Sequence, residues 1–191
     1  MNVRINRILE ETISEGPGKR FCIWFQGCSL HCPDCANREL WDFEGGKEYV
    51  IEEILEKIER HATMVEGITL LGGEPFEQAQ AVERIVSMSR KCGLSVIIFS
   101  GYLYEELVKL DSLYIKKILQ QTDILIDGRY EKEKHDLSRP WVGSVNQKYV
   151  FLTERYKNFS LDENKIEIRI CRDGKIKING MADIDEIKMW F

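Results

Sequence analysis

The chain is 191 residues long, with 43% hydrophobic and 31% charged residues and a formal net charge of −5 at pH 7. This is the composition of an ordinary globular protein, long enough for one domain with a substantial core but short of a complete eight-unit barrel. The negative charge argues against nonspecific nucleic-acid binding, and the longest apolar stretch, around residues 96–99, is far too short to span a membrane. The first fifteen residues are polar and charged, without an apolar signal region, so the chain reads as cytoplasmic. Six cysteines in a reducing compartment point to metal chemistry rather than to disulfides.

Phe21-Cys22-Ile23-Trp24-Phe25 is a short apolar run suited to a buried strand. Val50, Ile51, Ile54, Leu55 and Ile58 then recur at helical spacing. Residues 67–71 read as a second strand, and Ala81, Val82, Ile85, Val86 and Met88 as a helical stripe that ends at Gly93. Residues 94–99 make a third strand. Residues 103–119 are helical, in two pieces around Asp111-Ser112, before a fourth strand at Asp123-Ile124-Leu125-Ile126 and a fifth at 148–152. This alternation predicts an α/β fold, a parallel sheet of βα units whose site lies at the C-terminal ends of the strands. Farther on, Ile166, Ile168 and Ile170 alternate with polar residues, as do Ile176 and Ile178, around Asp173-Gly174, which reads as a hairpin turn. A short amphipathic segment at 184–191 follows, and the two together are expected to pack on the sheet edge and cover an exposed strand. The expected organisation is one domain, 1–191, with its core at 14–152 and an extension at 153–191.

Cys28, Cys32 and Cys35 stand in Phe25-Gln26-Gly27-Cys28-Ser29-Leu30-His31-Cys32-Pro33-Asp34-Cys35, a C-x3-C-x2-C spacing. Three thiolates on one short loop hold three irons of a [4Fe-4S] cubane and leave the fourth open, able to bind a small molecule and pass it an electron. A structural Cys3His zinc site with His31 is the competing reading. It requires the adjacent His31 and Cys32 both to turn inward, and no second Cys/His pair accompanies them. Cys22, Cys92 and Cys171 have no neighbouring cysteine and read as inert structural thiols. Gly72-Gly73-Glu74-Pro75 follows the second strand, Ser100-Gly101-Tyr102 the third and Asp127-Gly128-Arg129 the fourth, which puts them at one rim with the cysteines. Two glycines let backbone approach a ligand closely, Glu74 or nearby carbonyls can accept from an ammonium group, and Pro75 shapes the turn. Asp127 ends an apolar strand at the rim and is a candidate polar contact. Tyr102 packs or binds, Arg129 meets a carboxylate or is solvated, and His61 and His135 read as surface residues. The charge run Glu131-Lys132-Glu133-Lys134 reads as a solvated segment over the site.

The cysteine spacing with Gly-Gly-Glu-Pro downstream resembles the radical S-adenosylmethionine (SAM) enzymes. Glu15-Gly16-Pro17-Gly18-Lys19-Arg20, Gln26-Gly27-Cys28 and Cys35-Ala36-Asn37-Arg38-Glu39-Leu40-Trp41 look like the opening of the glycyl-radical-enzyme activases. Asp127-Gly128-Arg129-Tyr130 and Trp141-Val142-Gly143-Ser144-Val145-Asn146-Gln147 are similar to the anaerobic ribonucleotide reductase activating proteins within that group, and the match covers roughly residues 14–150. The resemblance implies a partial, incomplete parallel (βα) barrel. It implies a [4Fe-4S] cluster on Cys28, Cys32 and Cys35, and SAM held by Gly72, Gly73 and Glu74 at its amino group, by Ser100, Gly101 and Tyr102 near its ribose, and by Asp127. No catalytic residue is implied beyond the cluster and SAM. The implied reaction is reductive cleavage of SAM to a 5′-deoxyadenosyl radical, which takes hydrogen from a glycine of a partner glycyl radical enzyme, in kind an anaerobic ribonucleotide reductase. A flavodoxin or ferredoxin would supply electrons. Asp34 departs from the pattern, since many radical SAM proteins carry an aromatic residue there, and Val142 and Val145 stand where the reductase activators tend to be polar or basic. Two other readings stand beside this one. The first is a small radical SAM enzyme modifying a metabolite or peptide, similar to the 7-carboxy-7-deazaguanine synthases. The second is a noncatalytic iron–sulfur electron-transfer protein, which would have no use for Glu74 and its glycines.

Overall fold

A computed structural model describes residues 1–160 and 165–181, so the segment expected to be amphipathic at 184–191 lies outside the described residues. Seven strands form one open sheet: β1 (Asn2–Thr12), β2 (Arg20–Phe25), β3 (Lys47–Val50), β4 (Gly67–Gly72), β5 (Ser95–Phe99), β6 (Ile124–Asp127) and β7 (Lys148–Phe151), in the order β3-β1-β2-β4-β5-β6-β7. The four central strands β2, β4, β5 and β6 run parallel. The outer pairings, β1 with β2, β1 with β3 and β6 with β7, are antiparallel. Helices α1 (Ile51–His61), α2 (Ala79–Lys91), α3 (Tyr104–Lys109) and α4 (Leu113–Gln121) connect the central strands. Among the described residues no helix is long and apolar enough to cross a membrane.

The parallel strands read as unbroken apolar runs because both faces of the sheet are covered. Phe21, Ile23 and Phe25 on one face of β2 join Ile54, Ile58, Val82, Ile85 and Ile118 of the helices in the main core. On the other face, Cys22 and Trp24 pack with Leu40 and Leu71, and Ile97, Ile124 and Ile126 pack with Trp141 and Val142. The break at Asp111-Ser112 falls where expected: α3 ends before it, and Ser112 Oγ accepts from Ile115 N at the start of α4. Gly93, at φ +77°, closes α2 in the left-handed conformation that a glycine adopts without strain.

Two strands escape the sequence reading. β1 alternates buried Val3 and Ile5 with charged neighbours facing outward, so its composition is that of a polar N-terminal segment. β3 is four residues of mostly exposed margin. The fifth predicted strand exists as β7, but it returns antiparallel to β6 because no helix intervenes to carry the chain back across the sheet.

The C-terminal hairpin, β8 (Ile166–Ile170) and β9 (Ile176–Gly180), forms its own two-stranded sheet. β3 pairs only with residues 2–5 of β1, so beyond Ile5 β1 is itself the sheet margin, and the hairpin is anchored there by polar contacts. Asn179 donates to Ser14 Oγ (2.7 Å) and accepts from Arg7 (3.0 Å), Thr12 donates to Glu167 (2.5 Å), and Arg169 donates to the Glu11 carbonyl. Arg7 also lies 3.8 Å above the Trp24 ring. Glu15 is buried beside this anchor, and burial pushes its carboxyl up to about 7 against the pull of Arg7 and Asn179. The folded state therefore holds a proton that the unfolded chain releases near 4.5, and stability falls as pH rises through that window. Glu15→Gln removes this dependence. The variant is expected to gain on the wild type between pH 4.5 and 8, by on the order of 3 kcal/mol at most. Urea melts at both pH values check this, and a wild-type-to-variant difference that does not grow with pH overturns it.

Candidate functional site

The cysteine loop leaves β2 through Gln26 and Gly27, the latter at φ +94°. Its two ends are stapled by Gly27 N to Leu40 O (2.9 Å) and Cys28 N to Trp41 O (3.2 Å). The buried Gln26 side chain adds bonds to the Glu39 (3.0 Å) and Asp42 (2.7 Å) carbonyls. Within the loop Cys28 is buried, Cys32 and Cys35 are half-buried, and all three are free thiols. The Asn37 amide lies 3.4 Å from Cys35 Sγ, while the Leu30 and His31 amides favour the thiolate of Cys28 and the Tyr130 amide that of Cys32. Burial pushes the Cys28 and Cys32 thiols above their ordinary range while these amides pull the other way. Amides placed this way suit an anionic iron–sulfur cluster. A further fit is the Trp41 indole nitrogen, buried and without an acceptor among the described residues.

His31 does not join the cysteines. It adopts φ +44° and stacks on Trp41, with ring centroids 4.7 Å apart. Among the described residues no group of three His, Cys, Asp or Glu side chains converges on a point fit for a single metal ion. A cubane differs from such a site in taking each thiolate on a separate iron.

The Gly-Gly-Glu segment is pressed against the stem of the cysteine loop. Gly73 N donates to Phe25 O and Glu74 N to Gly27 O, both at 2.9 Å. Gly72 has φ +112°, and a Cβ there would collide with the Phe25 amide; one on Gly73 would strike the Gly27 carbonyl. Both glycines are therefore demanded by the approach of two backbones, in addition to whatever ligand they meet.

Glu74 is fully buried. Its Oε1 accepts from Phe76 N (3.0 Å) and its Oε2 from Gly101 N (2.9 Å), while Ser100 Oγ lies 3.1 Å from both oxygens. Burial pushes its carboxyl up to about 7 despite these donors. Ser100 Oγ in turn accepts from Tyr102 N (3.0 Å), so the carboxylate clamps the loop after β5 to the loop after β4. The Tyr102 ring packs against the main core, and only its backbone joins the network. Asp127 ends β6 and accepts from Tyr104 N (2.8 Å) through Oδ2, leaving Oδ1 buried with no hydrogen-bond donor among the described residues. Burial raises its carboxyl as well.

The predicted site residues thus form one rim, in which Glu74, Ser100, Gly101 and Tyr102 make a single hydrogen-bonded unit adjoining the cysteine loop. Arg129, open in the sequence between meeting a carboxylate and being solvated, has its side chain beside Gly101, and its charge acts on Cys32. The signal available for it was its place two residues after Asp127. Lys132 pairs with Asp34 of the cysteine loop (3.3 Å), an exposed pair of small energetic weight. Gln147 was missed. Its Oε1 accepts from Gly143 N (2.8 Å) and Ser144 N (3.2 Å), and its Nε2 donates to Gly128 O (3.1 Å), which fixes the turn after Asp127.

A family model described as a 4Fe-4S single cluster domain matches residues 14–150. The anaerobic ribonucleoside-triphosphate reductase-activating protein of Pasteurella multocida (strain Pm70) is 32% identical over 142 residues, which is 71% of this chain and 89% of that protein. The protein of the same description from Enterobacteria phage T4 is 28% identical over 148 residues, 75% of this chain and 90% of its own. The pyruvate formate-lyase-activating enzyme of Clostridium pasteurianum is 34% identical over 128 residues, 63% of this chain and 54% of that enzyme.

Proposed function

This chain belongs to the 4Fe-4S single cluster domain family that includes the anaerobic ribonucleoside-triphosphate reductase-activating proteins, and on that premise we propose that it is a radical SAM activase. Its partner is a glycyl radical enzyme, in the finer reading an anaerobic ribonucleotide reductase. The observation that carries the reading is the mutual bracing of three rim loops: Glu74 N bonds to Gly27 at the root of the cysteine loop, and Glu74 Oε2 accepts from Gly101. An electron carrier needs only the first of these loops.

When bound, a cubane with one iron free of protein ligands supplies the electron that cleaves SAM to methionine and a 5′-deoxyadenosyl radical. Cys28, Cys32 and Cys35 would hold it, with the surrounding amides offsetting its negative charge. The Glu74 carboxylate is already occupied by protein donors, so backbone carbonyls of the Gly72-Gly73-Glu74 segment are the groups left to accept from the SAM ammonium. Gly101, Ser100 and Asp127 Oδ1 supply the remaining polar rim. The sheet is open, so a loop of a large partner can enter. Glycine is suited to the transfer because no side chain obstructs its Cα and the flanking amide and carbonyl delocalise the spin. A flavodoxin or ferredoxin is the electron donor in this proposal.

The test is anaerobic incubation of the reconstituted protein with SAM, a reductant and a candidate reductase. A glycine-centred radical on the reductase by electron paramagnetic resonance, with oxygen-dependent cleavage of its chain at that glycine, is the expected outcome. Efficient turnover of a small molecule or short peptide, with no radical on any candidate reductase, overturns the activase reading.

A further inference from the structure

Trp41 closes the cysteine loop, and its indole N–H has no role in the contacts described so far. Its backbone carbonyl takes the Cys28 amide (3.2 Å) and its own amide donates to Arg38 O (3.1 Å), so the residue is fixed to both ends of the loop. Its ring stacks on His31, the residue before Cys32, and the Arg38 guanidinium lies 5.6 Å from the ring centroid. The indole is therefore packed among the cysteine loop's own side chains rather than into the main core. Its Nε1 is nevertheless buried with no acceptor among the described residues, one of three side-chain atoms in that position. A sealed N–H without an acceptor costs about 1–3 kcal/mol and calls for an explanation. The Asn37 amide already lies 3.4 Å from Cys35 Sγ, so the loop donates inward to one of its sulfurs.

We propose that the Trp41 indole N–H donates a hydrogen bond to a sulfur of the cluster and raises the cluster's reduction potential. The inference rests on the cluster assignment given above. Adding an electron increases the negative charge on the sulfurs and strengthens any hydrogen bond they accept, so a donor favours the reduced state. Trp41 is then a tuning residue that acts on the ease of cluster reduction and takes no part in the transfer of hydrogen.

Trp41→Phe keeps an aromatic ring to stack on His31 and removes only the donor. In the reconstituted protein it is expected to make the cluster about tenfold harder to reduce, roughly 59 mV lower for a one-electron couple. Electron paramagnetic resonance of samples poised at a series of potentials reads this directly. Electron–nuclear double resonance on reduced wild-type protein carrying 15N-indole tryptophan is expected to show a nitrogen coupled to the cluster, and the coupling should vanish in Trp41→Phe. If the variant assembles too little cluster for titration, the wild-type spectrum decides alone. A normal cubane signal with no coupled nitrogen, or with an unmoved potential in Trp41→Phe, overturns the tuning role while leaving the activase reading in place. Failure of the wild type to assemble any cubane removes both.

Discussion

Cys32→Ala is expected to leave a folded chain that assembles no complete cubane and cleaves no SAM. Cys32 is half-buried on the loop and belongs to none of the apolar clusters, so its side chain contributes little to folding. It sits midway between Cys28 and Cys35, beneath the Tyr130 amide and beside Arg129, and no other cysteine belongs to the same loop. Cys22, the nearest cysteine outside the loop, is fully buried within β2, where burial pushes its thiol far above the ordinary range, so it offers no substitute thiolate. Iron and sulfide content after anaerobic reconstitution, together with the resonance of the reduced cluster, measure the effect. Cys92→Ala is the matching control. Its sulfur lies at the C-terminal end of α2, away from the loop, and cluster content and SAM cleavage should stay near wild type. A full cubane in Cys32→Ala would overturn the ligand assignment.

Both the rim and the cysteine loop could be read from the sequence because each motif directly follows an apolar run. Once those runs are strands of one parallel sheet, their C-terminal ends must share a rim, and Cys28, Glu74, Ser100 and Asp127 fall there without any knowledge of their contacts. β1 was hidden by the opposite circumstance. Beyond Ile5 it forms the sheet margin, its exposed positions are polar or charged, and its buried residues Val3, Ile5 and Thr12 do not make an apolar run. Residue spacing also could not separate two uses of glycine. Gly72 and Gly73 suggested close approach to a ligand, whereas their immediate neighbours are the backbone of Phe25 and Gly27, contacts set by strand register between β2 and β4. The neighbours of Arg129 and Gln147, Gly101 and Gly128, could not be read from spacing because they belong to loops brought near only by the sheet.

The same limit governs Glu74, whose partners Ser100 and Gly101 are 26 and 27 residues away. Its motif placed it at the site as a candidate acceptor for the SAM ammonium, but its geometry makes it a strut between two loops. Glu74→Ala should therefore retain the cluster iron yet lose SAM affinity by roughly ten- to a hundredfold. The cause is indirect: the Gly101 and Phe76 amides are left buried without acceptors, at about 1–3 kcal/mol each, and the Ser100–Gly101 loop is freed from the Gly-Gly-Glu segment. Glu74→Gln separates this account from simple loss of charge. Each carboxylate oxygen faces a backbone N–H, so the new amide nitrogen must meet either the Gly101 or the Phe76 N–H, and an isosteric side chain still breaks one end of the strut. The expected order of SAM affinity is wild type, then Glu74→Gln, then Glu74→Ala, with iron content unchanged throughout. Titration of SAM into each reduced protein, followed by the change in the cluster's resonance, gives the three affinities. Wild-type binding by Glu74→Gln would show that the donors rearrange around it, and wild-type binding by Glu74→Ala would reduce the Gly-Gly-Glu-Pro segment to an ordinary turn.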